Sequence, residues 1–426
     1  MTQPLVFTIG IYHNRYLPGG HRVMHAVLSI TATGDAVSGG LAPTAAQVIM
    51  IDCSGSMGGE KITEARLATT TAVDLLRDEV AFAVVAGTTT ARMVYPPTET
   101  MVPASKVTRA EARTAIKGLT ANGGTAIGTW LELANRLLDG QTEEIKHGIL
   151  LTDGHNVHQK PHELAATLQR CRGRFGCDVR GVGRDWSAGT LREIADALLG
   201  TADGLPSASA LNEEFQAMTE AIMGKAAADL TLRVRHSRGA RVRFLKQVHP
   251  YVHDLTDRRL GGDELHDDYP TGSWGAETRD YHLAVELPPE TRIGDEVLAA
   301  HVELADGDTV LADGLIPAIW TDDVALSTKI NDRVAHYTDQ VELDTAAQEG
   351  FAALRTGDHE TATAKLGTAV RLAAESERSD TLRLLAQVVD VIDAPAGTVR
   401  LRPDVDQVDA EMAQVRSRKT VRWRAR

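Results

Sequence analysis

Between about residues 44 and 224, short apolar segments typical of strands alternate with longer segments typical of helices. This alternation predicts an α/β domain, because parallel strands are joined by crossover helices. The predicted strands are 47–52, 80–86, 91–95, 146–152, 178–183 and 202–205, and the predicted helices are 60–77, 108–118, 126–138, 162–172, 188–199 and 208–224. The fold class of this region is therefore α/β, with a doubly wound, Rossmann-like sheet.

The first predicted strand ends in a group of oxygen-bearing side chains. The apolar run Val48–Ile51 is followed by Asp52, Ser54 and Ser56 at alternate positions, with Gly55 inside the loop. A tight loop can turn these three side chains toward a common point. Carboxylate and hydroxyl oxygens are hard ligands, which suit Mg²⁺ or Ca²⁺ rather than a soft metal.

Two later segments supply similar side chains. The Gly-rich turn Asn122–Thr125 precedes an apolar helix and ends in a hydroxyl, and the strand Ile149–Thr152 is followed by Asp153. In a doubly wound sheet such ends meet at the carboxyl edge, where ligands bind. The sequence therefore predicts one cation site built from Asp52, Ser54, Ser56, Thr125 and Asp153.

This set resembles the metal-ion-dependent adhesion site (MIDAS) of the von Willebrand factor A (VWA) domain family, in which Asp-x-Ser-x-Ser precedes a Thr and then an Asp. The resemblance covers about residues 44 to 224 and is to bacterial, intracellular members. It implies that Ser54, Ser56 and Thr125 contact the metal and that Asp52 and Asp153 act directly or through water. It also implies Mg²⁺ as the cofactor, with Ca²⁺ or Mn²⁺ as alternatives, and a partner's carboxylate in the remaining position.

The charge of such a site explains why it would attract an acid. A divalent ion held largely by neutral hydroxyls keeps much of its positive charge, and Mg²⁺ readily keeps exchangeable waters. We therefore predict a non-catalytic, Mg²⁺-dependent protein that binds an Asp or Glu side chain of a protein partner. The expected contact residues are Gly55, Met57, Gly124 and His155. In the competing interpretation, the serines cap the following helix and Asp52 satisfies loop amides.

Two other functions stay open. Bacterial proteins that resemble this family often work beside AAA-type ATPases, so the chain could be an accessory subunit of such an ATPase or of a chelatase-like machine. A metal-dependent hydrolase would need a positioned nucleophile and a base, which the motif does not show. Asn122–Thr125 lacks the lysine of a phosphate-binding loop, and we expect no enzyme activity. His155, His158 and His162 follow Asp153 without a thiolate, so they do not imply a zinc site.

Composition indicates which class of partner and which cellular compartment to expect. The formal net charge of −13 argues against nucleic acid as the main partner. The three cysteines, Cys53, Cys171 and Cys177, do not suit a disulfide framework and favour a reducing cytoplasm. The first residues lack a basic leader, and no stretch reaches the roughly 20 apolar residues that span a membrane. We therefore expect a cytoplasmic protein without membrane insertion.

The segments that flank the α/β region have a strand period of two. Residues 5–12 and 22–33 alternate in this way, and the same period resumes after Ala226. Further such segments are 240–247, 280–287, 296–304 and 308–318. We predict that residues 1–43 and 226–321 form one β-sandwich and that the VWA-like domain, residues 44–225, is inserted into it.

The last hundred residues are predicted to be mostly helical. Residues 322–393 contain one tetratricopeptide-like helix pair with the turn Thr356–Asp358, and we expect a small helical domain packed on the sandwich. Residues 394–426 have the composition of a solvated basic tail. The alternatives are that this basic end docks on the same acidic chain or binds an acidic partner. The basic residues Arg416, Arg418 and Lys419 precede Thr420, which suggests that Thr420 is a kinase target.

Overall fold

The chain divides into two compact units. The structure is a computed structural model that describes residues 5–34, 44–205, 207–263, 265–289 and 292–424. We name the first unit the α/β unit; it consists mainly of Ala36–Ala228 and Gln407–Val415. We name the second the sandwich unit; it consists of Thr2–Asp35, Asp229–Asp406 and Arg416–Arg426. The α/β unit thus lies within the sequence of the sandwich unit, as expected for an inserted domain.

The α/β unit is built on one twisted sheet. Its strands lie in the order Ala202–Leu205, Gly176–Val182, Ile145–Thr152, Ala45–Asp52, Ala81–Gly87 and Ala91–Tyr95. All neighbouring pairs in this order are parallel except the last, and the short strand Val102–Pro103 also pairs antiparallel with Ala81–Gly87. Ala45–Asp52 therefore lies in the interior of the sheet, and its carboxyl end faces the crevice side predicted from the sequence.

Both faces of this sheet are covered by helices. Ile49 and Ile51 of the central strand belong to one apolar cluster, whereas Val48 and Met50 belong to the other. A strand that is buried on both faces has an unbroken apolar run, which explains the sequence 48–51. Helices Glu60–Leu75, Lys106–Lys117 and Leu211–Met223 pack on the first face, and helices Ile127–Asp139, Pro161–Cys171 and Ala188–Ala197 pack on the second.

Part of the predicted tail is a helix of the α/β unit. Residues Gln407–Arg416 are helical, and Met412 and Val415 belong to the second apolar cluster. Glu411 Oε2 accepts a 2.5 Å hydrogen bond from Ala188 N, at the start of helix Ala188–Ala197. The prediction of a solvated tail is therefore wrong for this segment, because its side chains complete a buried interface.

The sandwich unit contains two mainly antiparallel sheets. The first has the strand order Val6–His13, Val23–Thr33, Thr278–Glu286, Arg241–His249 and His253–Asp254. The second has the order Gly261–Gly262, His266–Pro270, Thr231–His236, Glu296–Asp306, Thr309–Thr321 and Tyr16–Pro18. Both sheets combine strands from before and after the α/β unit. The predicted fold class, an α/β domain inserted into a β-sandwich, is confirmed.

Helices follow the second sheet, as predicted. They are Val324–Ser327, Asp332–Thr356, His359–Glu375 and Ser379–Leu385. The expected turn separates the two long helices: Gly357 has φ +77° and Asp358 accepts a hydrogen bond from Thr361 N. The helices end before residue 393, because Val389–Asp393 and Thr398–Leu401 form a hairpin instead.

The chain from Arg416 to Arg424 is also not a free tail. Thr420 is only 7% exposed, and its N and Oγ1 both donate to Pro250 O. A hydroxyl in this position is poorly placed for a kinase, so the structure argues against the predicted modification of Thr420. Among the described residues, no helix is both long enough and apolar enough to cross a membrane.

Candidate metal centre

The candidate site lies where the central strand of the α/β unit ends. Asp52 is the last residue of strand Ala45–Asp52 and is completely buried. The chain then makes a single 3-10 turn, Gly55–Met57, before helix Glu60–Leu75 begins. This short turn brings the side chains after Asp52 back over the end of the strand.

Backbone hydrogen bonds hold the Gly-rich turn against this loop. Gly55 N donates to Gly123 O at 2.9 Å, and Asn122 N donates to Cys53 O at 2.7 Å. Gly123 has φ +99°, a conformation that L side chains rarely adopt. The turn therefore needs a glycine at this position in order to present Thr125 to the loop.

Asp52 is held through both of its carboxylate oxygens. Oδ1 accepts from Ser54 N at 2.8 Å, and Oδ2 accepts from Thr152 Oγ1 at 2.7 Å. Burial is the largest influence on this carboxyl and raises its pKa, whereas the hydrogen bonds from Ser54 and Thr152 act in the opposite direction. The carboxylate is thus fixed in orientation at the base of the site.

Three of the remaining predicted ligands are linked by hydrogen bonds, and the fourth, Thr125, lies close to them. Ser54 Oγ and Ser56 Oγ are 3.0 Å apart, and Ser56 Oγ donates to Asp153 Oδ1 at 2.7 Å. A Cβ atom built on Gly154 would lie 3.7 Å from both Ser56 Oγ and Thr125 Oγ1. The structure therefore brings together the oxygen atoms of all the residues predicted as ligands.

Lys61 is a member of this site that sequence reasoning missed. Its Nζ donates to Asp153 Oδ2 at 2.5 Å and lies 4.0 Å from Asp185 Oδ2. Lys61 is the second residue of helix Glu60–Leu75, and no motif or spacing in the sequence marks it as part of the site. Its pairing with Asp153 depends on the fold, because the two residues are 92 positions apart.

The loop after Asp153 fixes the position of Thr125. His158 Nδ1 accepts from Thr125 N at 3.1 Å, and His158 N donates to Thr125 O. Asn156 and Gln159 accept from the first amides of helix Ile127–Asp139, those of Ile127 and Gly128. Unpaired amides at a helix start need such acceptors, so this loop caps the helix that follows the Gly-rich turn.

The predicted contact residues differ in their exposure. Gly55 and His155 are exposed, and Gly124 is half-buried against the His158 ring. Met57 is completely buried in the first apolar cluster of the sheet. The prediction that Met57 contacts a partner is therefore wrong, because the 3-10 turn points this side chain into the core.

The carboxylate and hydroxyl oxygens of the site are suitable ligands for a hard divalent cation. Both carboxylates already accept hydrogen bonds on each oxygen, which suits a role behind the hydroxyls. Each hydroxyl oxygen has two lone pairs and keeps acceptor capacity for an ion. In the described part of the chain, no group of three or more His, Cys, Asp or Glu residues could hold a metal ion.

Comparison with known proteins identifies the family. Residues 46–203 match the von Willebrand factor type A domain, and residues 371–417 match the von Willebrand factor type A C-terminal domain. A solved structure described as a von Willebrand factor type A protein from Catenulispora acidiphila is 46% identical, with a TM-score of 0.92, and the match covers 99% of this chain and 98% of that one.

Two other relatives are similar over shorter regions. Human inter-alpha-trypsin inhibitor heavy chain H4 is 33% identical over 158 residues, which are 35% of this chain and 17% of that protein. The uncharacterized protein sll0103 of Synechocystis is 27% identical over 222 residues, 51% of each chain. This chain therefore spans only part of the length of either relative. The full-length match to the Catenulispora protein, together with the two matched domains, shows that this chain belongs to the von Willebrand factor type A family.

Proposed function

We propose that this protein is a non-catalytic interaction protein that holds Mg²⁺ at Asp52, Ser54, Ser56, Thr125 and Asp153 and uses it to bind an acidic side chain of a protein partner. VWA domains typically mediate protein–protein interactions. The observation that carries the proposal is the convergence of hydroxyl and carboxylate oxygens from three separate segments at one edge of the sheet.

The residues divide into two roles. Ser54, Ser56 and Thr125 would contact the ion through their hydroxyl oxygens, and Asp52 and Asp153 would hold those hydroxyls and bound water in place. When bound, Mg²⁺ supplies a concentrated positive charge with a coordination position that a partner's carboxylate can take. The protein's own task is to orient the oxygens without neutralising the ion.

Exposure indicates the side from which a partner would approach. Asp52, Ser54, Thr125 and Asp153 are all buried, whereas Ser56 and the neighbouring Gly55 are exposed. The site is therefore open at Gly55 and Ser56 and closed toward the sheet. A carboxylate that arrives on this side would meet Ser56 first, and His155 is also exposed in the adjoining loop.

The described contacts favour binding over hydrolysis. Metal-assisted hydrolysis needs a base that can activate a nucleophile. The hydroxyls of Ser54 and Ser56 are hydrogen-bonded to each other. The neighbouring His158 ring accepts a hydrogen bond from the backbone amide of Thr125 rather than from a hydroxyl. These contacts hold the oxygen atoms of the site in position.

The proposal is tested by titrating Mg²⁺ into the full chain, by calorimetry and by thermal unfolding with and without chelator. We expect saturable binding and, at one hundred times the dissociation constant, about 2.7 kcal/mol of added stability. Thr125→Ala should abolish both responses. The matched control is Thr114→Ala, which removes an exposed hydroxyl that donates to Ala110 O within helix Lys106–Lys117.

A second measurement tests the interaction itself. Wild-type and Thr125→Ala baits are mixed with lysate of the native host in Mg²⁺ or in chelator. We expect one defined protein to be retained only by the wild type in Mg²⁺. If the wild type shows neither heat nor stabilisation with Mg²⁺, the proposed function is wrong.

A further inference from the structure

Lys61 places a second positive charge beside the proposed ion site. Its ammonium group donates a hydrogen bond to Asp153 Oδ2, and Ser56 Oγ donates to Oδ1 of the same carboxylate. The side chain of Asp153 is completely buried and that of Lys61 is 25% exposed. An ion coordinated by Ser56 would therefore have to share the Asp153 charge with Lys61.

The position of the lysine is built into the unit. A Cβ atom on Gly183 would lie 2.9 Å from Lys61 Cε, so the lysine stem fills the space left by this glycine. Gly183 also has φ +79°, which favours glycine for a second reason. Asp185 Oδ2, 4.0 Å from Nζ, provides a further acidic neighbour. The ammonium is thus held beside the site by packing as well as by charge.

The charges of the site follow from these contacts. Asp185 is left out of the charge of the site, because its side chain is 68% exposed and its charge is screened by water. With Asp52 and Asp153 both ionised, Lys61 reduces the negative charge of the site from two units to one. A divalent ion would then leave one unit of positive charge, which a partner's carboxylate would cancel. Without the lysine the ion alone would neutralise the site, and an added carboxylate would leave an excess of negative charge.

We infer that Lys61 is a positioning residue that weakens retention of the ion alone and couples ion binding to binding of a carboxylate. This inference rests on the proposed function and concerns the selectivity of the same site. Because coupling is reciprocal, an acidic ligand should tighten the ion by the same factor by which the ion tightens the ligand. The lysine thereby makes the metal complex more stable when the partner is bound than when it is absent.

The test is a Mg²⁺ titration by calorimetry of the full chain, with and without saturating acetate as the carboxylate probe. Lys61→Met keeps the stem packed on Gly183 and removes the charge, and Lys61→Arg keeps the charge. Lys61→Met should bind Mg²⁺ alone at least about tenfold more tightly than the wild type, because a repulsive charge is lost. Acetate should tighten Mg²⁺ binding in the wild type and in Lys61→Arg but not in Lys61→Met.

The charge-matched control is Lys106→Met. Lys106 begins helix Lys106–Lys117 directly after strand Val102–Pro103, which pairs with the first residues of strand Ala81–Gly87. It therefore lies at the amino edge of the sheet, opposite the site, and its loss should leave Mg²⁺ binding within about twofold of the wild type. A general effect of net charge would instead appear equally in both methionine variants.

The outcomes separate this inference from the proposed function. If Mg²⁺ binds neither the wild type nor Lys61→Met, the proposed function fails. If both bind Mg²⁺ with equal affinity and respond equally to acetate, the site stands and the role of Lys61 is overturned. Lys61→Gln serves as a second neutral variant should the methionine alter folding, and it must show the same tighter, acetate-insensitive binding.

Discussion

Thr152 and Asp52 end neighbouring parallel strands, and Thr152 Oγ1 donates a 2.7 Å hydrogen bond to Asp52 Oδ2. The same hydroxyl oxygen accepts from Gly154 N at 3.3 Å, so it links the carboxylate to the loop after Asp153. Both residues are completely buried. Thr152 thus holds the base of the site without lying among its proposed ligands.

Thr152→Val should lower the unfolding free energy by about 1.5–3 kcal/mol, because a buried carboxylate loses a donor. Urea denaturation measures this change. Thr152→Ser keeps the hydroxyl and removes only a methyl group, so it should be the more stable variant. A valine variant as stable as the wild type would show that Asp52 does not depend on this bond.

The sequence predicted the sheet and the convergence of the ligands for identifiable reasons. The run 48–51 is apolar on both sides, as a strand between two helical layers requires. Asp52 and Asp153 each lie at the carboxyl end of an adjacent parallel strand, so topology alone brings them together. Predictions based on hydrophobic periodicity and on the ends of strands therefore agree with the structure.

Pairings between distant side chains could not be predicted in this way. Lys61, in helix Glu60–Leu75, contacts Asp153, and His158 contacts Thr125, because segments that follow different strands are brought together by the fold. A single lysine or histidine in a sequence has no spacing rule that reveals its partner. The exposure of Met57 was wrongly predicted for a related reason, because Met57 ends the 3-10 turn Gly55–Met57 with its side chain buried.

The helix Gln407–Arg416 was missed because its buried residues do not follow a helical apolar stripe. Glu411, Met412, Ala413, Gln414 and Val415 are all buried, although they are consecutive and two of them are polar. Glu411 is buried because it accepts from Ala188 N, and Arg192 donates to Gln414 O. Hydrogen bonding to another element, rather than apolar periodicity, positions this helix.

Met412→Ala should destabilise the α/β unit by about 2–4 kcal/mol. Met412 and Trp186 both pack over Gly204, where a Cβ would collide with each of them, so truncation leaves a cavity. Chemical denaturation and protease sensitivity near residue 407 are the measurements. Val107→Ala, at a site 65% exposed, is the control and should change stability by less than about 0.5 kcal/mol. Equal effects of the two substitutions would mean that the helix is not docked.

Gly357→Ala should destabilise the helix pair by about 1–2 kcal/mol, because alanine is strained at φ +77°. Gly140 is the matched comparison, since it also follows the last residue of a helix but has φ −75°. Gly140→Ala should therefore be neutral or stabilising by up to about 1 kcal/mol. Thermal and urea unfolding of both variants would reveal the difference. A similar loss at the two positions would contradict the left-handed cap at Gly357.

The sandwich unit contains a buried histidine whose protonation should make stability depend on pH. Burial, followed by the charges of His25 and Lys246, lowers the pKa of His282 to about 3 from its ordinary value of 6.5. Its Nε2 lies 3.2 Å from His25 Nδ1, and its ring packs edge-on against Phe244. Folded His282 is therefore neutral throughout the range in which the unfolded chain takes up a proton.

The unfolding free energy should consequently fall as the pH decreases from about 6.5 toward about 3, and about 2 kcal/mol of this loss should occur by about pH 5. His282→Leu removes the titrating group, so the difference in stability between wild type and variant should shift by that amount in favour of the variant between about pH 7.5 and pH 5. Phe244→Leu changes packing at the same place but keeps His282, so its stability should retain most of the pH dependence of the wild type. Urea denaturation at the two pH values decides the matter, and a constant difference for His282→Leu would show that this histidine is protonated in the folded protein.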